Sequence, residues 1–268
     1  MTIYKLMQKN KIPKVLIIAG SDSGGGAGIQ ADIKAVTYFK GYAMTAITAV
    51  TSQNTKGVQA IFQLPINHIE SQINSVLEDI NPDVVKTGML ADIDLIEMIA
   101  TRISGYKLVM DPVMVATSGD ILVPEDCISA IKDTLLPKSY LITPNLYEAE
   151  LLSGQTISNL EEQIEAASRI LKLGAKNVLV KGGHSDSEKI TDVLIQEDKT
   201  INCFESKKIK SKNTHGTGCT LASSIACLVG HNKNLNESVQ TAINYVQKGI
   251  TLAPNFGSGN GPILHFDV

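Results

Sequence analysis

The sequence holds no tryptophan, and aromatics make up only 4% of its 268 residues. A base-stacking platform for single-stranded nucleic acid therefore has little to build on. There is no basic block either: 24 Lys+Arg against 27 Asp+Glu leave a formal net charge of −3, unlike the positive footprint that phosphate backbones select. No apolar run approaches the roughly 18 residues that a membrane-spanning helix needs. The N-terminal MTIYKLMQKNKIPK carries lysines but lacks the apolar stretch of a secretory leader. Cysteine is sparse. Cys127, Cys203, Cys219 and Cys227 stand far apart, form no C-x-x-C pair and give no disulfide framework. None of the five histidines has a partner at metal-ligand spacing, so zinc has no evident site. The expectation is a soluble cytoplasmic protein that partners neither nucleic acid nor membrane.

What is present suits a folded core. Apolar residues reach 43% against 19% charged, in a chain long enough to bury a large interior. Short apolar runs alternate with helical periodicity. Val15–Ala19 predicts a strand ending in a glycine-rich loop over 20–28, and Ile29, Ile33, Val36 and Phe39 then recur at helical spacing. Met44–Val50 predicts a strand covered on both faces, and Val58–Phe62 another strand. Further strands are expected at Val84–Lys86, Lys107–Met110, Tyr140–Ile142 and Asn177–Lys181. Helices are expected at Ile66–Ile80, Leu95–Ile103, Glu125–Leu135 and Leu160–Leu173. Ile190–Ile195 and Thr200–Phe204 predict a hairpin, and helices over Thr220–Val229 and Glu237–Leu252 follow it. The alternation predicts an α/β fold, a largely parallel sheet with helices on both faces. One domain over residues 14–268 is expected, behind an N-terminal extension of residues 1–13.

In open α/β sheets, ligands bind outside the carboxyl ends of the strands. Those ends carry Thr87-Gly88, Asp111, Asn145 and Lys181-Gly182-Gly183. The segment Asn213-Thr-His-Gly-Thr-Gly-Cys219 opens a helix, where Gly216 and Gly218 let backbone N–H groups converge. Such a turn is suited to a phosphate or a developing oxyanion, and its field should shift the Cys219 thiol toward thiolate. The loop at residues 20–28 fits neither G-x-G-x-x-G nor the Walker pattern. Asp32 could face a pocket or solvent. Asn145 and Glu148, at i and i+3, either flank a water-mediated Mg²⁺ or form an N-cap pair. Asp111 and Lys181 are strand-end charges of open role. His215 lies four residues before Cys219, a spacing that allows a Cys–His pair but supplies no third orienting group.

Seven blocks occur in the order of one known family. They are Ala19-Gly-Ser-Asp-Ser-Gly-Gly-Gly-Ala-Gly-Ile-Gln-Ala-Asp32, Gln53-Asn-Thr-Lys-Gly-Val58, Lys86-Thr-Gly-Met-Leu90, Asp111-Pro-Val-Met114, Ile142-Thr-Pro-Asn-Leu-Tyr-Glu148, Lys181-Gly-Gly-His184 and His215-Gly-Thr-Gly-Cys-Thr220. From about Val15 onward the chain resembles the hydroxymethylpyrimidine/phosphomethylpyrimidine kinases of thiamine biosynthesis, which belong to the ribokinase-like superfamily. The resemblance implies a three-layer α/β/α sandwich and ATP- and Mg²⁺-dependent phosphorylation of 4-amino-5-hydroxymethyl-2-methylpyrimidine, then of its monophosphate.

It also implies roles for individual residues. Gln53 would bond the aminopyrimidine, with Asp32, Gly20, Ala27, Met89 and Val113 around the substrate. Gly216, Thr217, Gly218 and Cys219 would form the anion hole, with Cys219 as candidate base where most sugar kinases of the superfamily have Asp. Asp111, Asn145, Lys181 and Gly218 would lie near ATP, and Asn145 and Glu148 near the metal, through water. A homodimer is implied as well. Three rival readings stand beside it: a pyridoxal kinase of vitamin B6 salvage, a non-catalytic pyrimidine-binding protein on the same fold, and a cysteine-based acyl transferase.

Overall fold

The computed structural model describes residues 11–114, 123–183 and 188–268. The first strand, β1 (Lys14–Asp22), shows why its apolar run is continuous. Leu16 and Ile18 point into one core, and Val15, Ile17 and Ala19 into another on the opposite side of the sheet. A strand with two buried faces has no place for polar alternation. Each fully buried Leu or Ile here contributes roughly 1.5–3 kcal/mol by burial.

The remaining strands are β2 (Tyr42–Asn54), β3 (Gly57–Gln63), β4 (Val84–Thr87), β5 (Leu108–Met110), β6 (Ser139–Ile142), β7 (Val178–Val180), β8 (Lys189–Ile195) and β9 (Ile201–Lys207). Among the described residues they form one sheet in the order β3-β2-β1-β4-β5-β6-β7-β8-β9. Strands β2 through β7 of this order run parallel, and antiparallel pairs close both edges: β2 with β3, β7 with β8, and β8 with β9.

The helices are α1 (Gly28–Tyr38), α2 (Ile66–Asp79), α3 (Ile93–Arg102), α4 (Glu125–Ala130), α5 (Leu146–Ser153), α6 (Leu160–Lys172), α7 (Thr217–Gly230) and α8 (Leu235–Thr251). Helices α1, α7 and α8 cover the Val15/Ile17 face, and α2 to α6 the Leu16/Ile18 face. The expected three-layer sandwich is therefore present. No helix among the described residues is long and apolar enough to cross a membrane.

Four local expectations need correction. Strand β1 runs on to Asp22, because pairing resumes past an irregularity at Gly20, with Ser21 opposite Val50 and Asp22 opposite Thr51. The glycine loop is thereby shortened to 23–27. In α1 the inward stripe passes through Ile29, Asp32, Ala35 and Val36, leaving Ile33 exposed. Strand β2 is covered on both faces only in part, since Val50 is exposed. The helix expected over 125–135 is α4 followed by a π-helical turn at Ile131–Leu135 and a 3₁₀ turn at Leu136–Lys138, where Pro137 has no N–H to continue the α pattern.

Candidate active site

The carboxyl ends of β1, β2, β4, β5, β6 and β7 open on one edge of the sheet, together with the N-terminus of α7. The β1–α1 loop is built around one carboxylate that the motifs did not single out. Asp22 Oδ1 accepts from the Gly24 N–H at 2.7 Å, and Oδ2 accepts from Gly26 and Ala27 at 3.0 and 2.8 Å. His215 Nε2 lies 2.9 Å from the same Oδ2. Burial of Asp22 works against its charge, but the hydrogen bonds from His215, Ala27 and Gly24 outweigh it and hold the carboxyl below its usual range. The partner that the structure gives His215 is Asp22, and no His215–Cys219 contact is seen among the described residues.

This clasp brings the loop against the turn that opens α7. Gly216 has φ +79°, and a β-carbon there would fall 1.8 Å from the Gly26 carbonyl oxygen. Only glycine meets both conditions. Gly218 faces the charges opposite: a β-carbon on it would lie 3.4 Å from Lys181 Nζ and 3.5 Å from Asp111 Oδ2. Thr217 is the first residue of α7; its N–H donates to the Thr214 carbonyl at 3.3 Å, while the N–H groups that follow at Gly218 and Cys219 lack intrahelical acceptors. Lys181 Nζ donates to Asp111 Oδ1 at 3.1 Å, and Thr143 Oγ1 donates to the same oxygen at 3.3 Å. Burial disfavours the Lys181 charge, but Asp111 and then Glu148 more than offset this and keep the ammonium protonated. A cation and the positive end of α7 therefore face one another across Gly218.

Cys219 sits in the first turn of α7, and its environment reverses the expected shift. Burial pushes the thiol up to about 11, against the pull of Lys86 and a Gly28 N–H bond, while Asp32 and Asp111 push it further up. Desolvation of the charged form outweighs the helix field here.

Asp32 does not line the pocket. Both its oxygens accept from Lys86 Nζ, at 3.0 and 2.9 Å, and Ser223 Oγ donates to Oδ1 at 2.6 Å. Neither ionic side chain reaches solvent. Burial disfavours the Lys86 charge, but Asp32 first, then Cys219 and Asp111, more than compensate and raise its pKa. Lys86 opens the Lys86-Thr-Gly-Met-Leu90 block, and its signal in the sequence is a lysine in an otherwise apolar strand.

Asn145 and Glu148 form a capping box at the start of α5. Asn145 Oδ1 accepts from the Glu148 N–H at 2.9 Å, and Glu148 Oε2 from the Asn145 N–H at 2.8 Å. Glu148 Oε1 accepts from the Met114 N–H at 3.0 Å. Burial, opposed by Lys181 and reinforced by Asp111, raises the Glu148 pKa. Among the described residues no group of three or more His, Cys, Asp and Glu could hold a metal.

The remaining expected pocket residues lie on the same edge. Gly20 stands at the β1 irregularity, and Ala27 is the N-cap of α1. Met89 is half-buried just past β4, beside Thr87, whose buried Oγ1 has no protein partner. Val113, half-buried after β5, has φ +45°, a strained setting for a β-branched residue. Gln53, near the end of β2, accepts from Thr51 Oγ1 through Oε1 at 3.1 Å, with its Nε2 3.4 Å from His215 Nε2. His184 lies outside the described residues.

Residues 22–264 match the model of a family described as phosphomethylpyrimidine kinase. The chain is 43% identical over 259 residues to a Bacillus subtilis protein named hydroxymethylpyrimidine/phosphomethylpyrimidine kinase, covering 95% of each. Among solved structures, an ADP complex of Bacillus subtilis pyridoxal kinase aligns with TM-score 0.88 at 34% identity, over 95% of this chain and 98% of that one. A phosphomethylpyrimidine kinase from Clostridium difficile aligns with TM-score 0.80 at 38% identity, over 90% and 100%. TM-scores compare backbones, which both groups share. The substrate is read by side chains, and identity is higher to the pyrimidine kinases.

Proposed function

The chain belongs to the phosphomethylpyrimidine kinase family, and on that footing we propose that it transfers phosphate from ATP to 4-amino-5-hydroxymethyl-2-methylpyrimidine and then to the resulting monophosphate, in thiamine biosynthesis. The observation that carries the reading is the convergence of Lys181, Asp111 and Gly218 at the start of α7. Donors fixed before the reaction need no reorganisation as charge develops on the transferred group. Lys181 and the N–H groups of Gly218 and Cys219 bind the phosphates, and Asp111 holds Lys181 in place. Gln53 supports the pyrimidine choice, because one amide offers both a donor and an acceptor to a ring nitrogen and its neighbouring amine.

Cys219 lies where the substrate hydroxyl must lose its proton. With its thiol held protonated at neutral pH, its contribution is a hydrogen bond that orients the hydroxyl. A loose phosphoryl-transfer transition state asks little of a base. The donors suit a water-mediated Mg²⁺ rather than an all-protein cage: Asp111 and Glu148 keep free lone pairs, and the Thr87 hydroxyl is unpartnered. When bound, Mg²⁺ neutralises charge on the β- and γ-phosphates.

Four free cysteines suit a reducing cytoplasm. The exposed edge strand β3, with Val58, Ile61 and Phe62 uncovered, suits burial against a second copy in a homodimer. The test is ADP release with Mg²⁺-ATP, comparing hydroxymethylpyrimidine, its monophosphate and pyridoxal on wild type and Gln53→Ala. Turnover of both pyrimidines, lost with Gln53, is expected. Preferential turnover of pyridoxal, indifferent to Gln53, would make this a B6 salvage enzyme. Pyrimidine binding without ADP release would make it a binding protein.

A further inference from the structure

His215 sits where three segments of the site meet. Its Nε2 is 2.9 Å from Asp22 Oδ2, on the β1–α1 loop, and 3.4 Å from the Gln53 amide nitrogen, on β2. The ring packs over Gly26, where a β-carbon would fall 2.5 Å from His215 Cδ2. Its backbone N–H donates to the Gly261 carbonyl at 3.1 Å, and the residue pairs with Pro262. The imidazole is therefore held by a carboxylate, a glycine face and a C-terminal strap. The next residue, Gly216, begins the anion-binding turn.

The position of the proton on this ring follows from its partner. An ionised carboxylate only accepts hydrogen bonds, so a bare nitrogen lone pair would not rest 2.9 Å from Asp22 Oδ2. Nε2 carries the hydrogen, and Asp22 fixes the tautomer. That hydrogen is committed to Asp22. The Gln53 amide nitrogen, itself a donor, gains no hydrogen bond from Nε2, while its Oε1 is tied to Thr51. The amide is tied through its oxygen only, and its N–H₂ end lies beside the imidazole with its hydrogens uncommitted in this corner.

We infer that His215, fixed by Asp22, is a positioning residue for the heteroaromatic substrate: it backs the Gln53 amide so that the N–H₂ end faces a ring acceptor. The inference rests on the reading above that Gln53 binds the substrate ring.

The test is a double-mutant cycle of His215→Leu and Gln53→Ala, with KM measured separately for the heteroaromatic substrate and for ATP. His215→Leu should raise the heteroaromatic KM about tenfold and leave the ATP KM within about twofold, the size expected for one lost polar contact. In the Gln53→Ala background it should add little, since residues acting through one another are not additive. His215→Gln, which keeps an N–H of similar reach, should bring KM back to within about threefold of wild type. Fully multiplicative effects, or a parallel rise in both KM values with no rescue by glutamine, would overturn the inference.

A second readout needs no variant. Imidazole ¹⁵N spectra of the intact protein should show His215 protonated at Nε2, and an Nδ1–H tautomer would overturn the inference equally. This readout needs no substrate, so it stands whichever of pyrimidine or pyridoxal the wild type phosphorylates. A failed pyrimidine assignment and a failed role for His215 thus give different results.

Discussion

Lys86 and Asp32 form an ion pair to which solvent has no access, with the lysine Nζ 2.9–3.0 Å from both carboxylate oxygens. Ser223, one turn after Cys219 on α7, donates to the same carboxylate. Together with Ser223, the pair pins α1, β4 and α7 to one another. Removing one partner strands the other charge, so Lys86→Met should lower stability by roughly 3–5 kcal/mol. The double variant Asp32→Asn/Lys86→Met should recover most of that loss in denaturant unfolding. A single variant as stable as wild type would show that the pair does not hold these elements together.

Asp192 gives a signed pH dependence. Its carboxylate is buried and accepts from the Gly182 N–H at 2.7 Å, and desolvation raises its pKa to about 6. Between about pH 4 and 6 the native state therefore holds a proton that the unfolded chain has lost. The stability this brings is full below the unfolded value and is lost as pH rises through about 6. At about 1.4 kcal/mol per pKa unit, the contribution is roughly 3 kcal/mol. Asp192→Asn keeps an acceptor for Gly182 and has no proton to lose. Relative to wild type it should gain stability from pH 4.5 to pH 7, measured by thermal melts at both.

Gly216 admits no side chain. Its φ of +79° disfavours an L-residue by roughly 1–2 kcal/mol, and a methyl group would strike the Gly26 carbonyl. Gly216→Ala should shift the turn that opens α7 enough to cut turnover about 100-fold, the scale of a 1 Å misplacement. The protein should stay folded, since both cores lie elsewhere. Steady-state kinetics with a melting curve would check both points, and near-normal turnover would remove this turn from phosphate binding.

A thiol at about 11 is ionised at pH 7 to about one part in ten thousand. Iodoacetamide should therefore modify exposed Cys203 well before Cys219, as read by peptide mass spectrometry. The Cys219 rate should still be climbing at pH 10, and a plateau below pH 8 would contradict the burial argument. Cys219→Ala should lower turnover while leaving the pyrimidine KM near wild type.

The layered fold was legible because periodicity reports burial directly. Val15–Ala19 reads as a strand, and its alternate residues enter two cores. Hydrophobicity was a poorer guide where pairing or charge decided the outcome. Val58–Phe62 is a strand, but an exposed antiparallel one, since nothing in its composition distinguishes an edge from a centre. Ile33 faces outward because Asp32 takes the inward position through an ion pair with a residue 54 positions away. Asp22 organises a loop whose sequence signal is its glycines, since its three backbone donors meet it only once the chain is folded. The strand-end charges Asp111 and Lys181 were identifiable by position, whereas their contact depends on the order of β5, β6 and β7.

The contact between Asp22 and His215 spans 193 positions, and that between Asp32 and Ser223 spans 191. Closing loops of that length is slow relative to forming local helices. On a ribosome, β1 and its glycine loop emerge early and wait for most of the chain before meeting either partner. A nascent or truncated chain ending before α7 has all nine described strands but no helix to close the glycine turn, and a Lys86–Asp32 charge pair open on one side. Ligand-binding competence is thus a late event in synthesis, and its appearance marks completion of the whole molecule rather than of any one part.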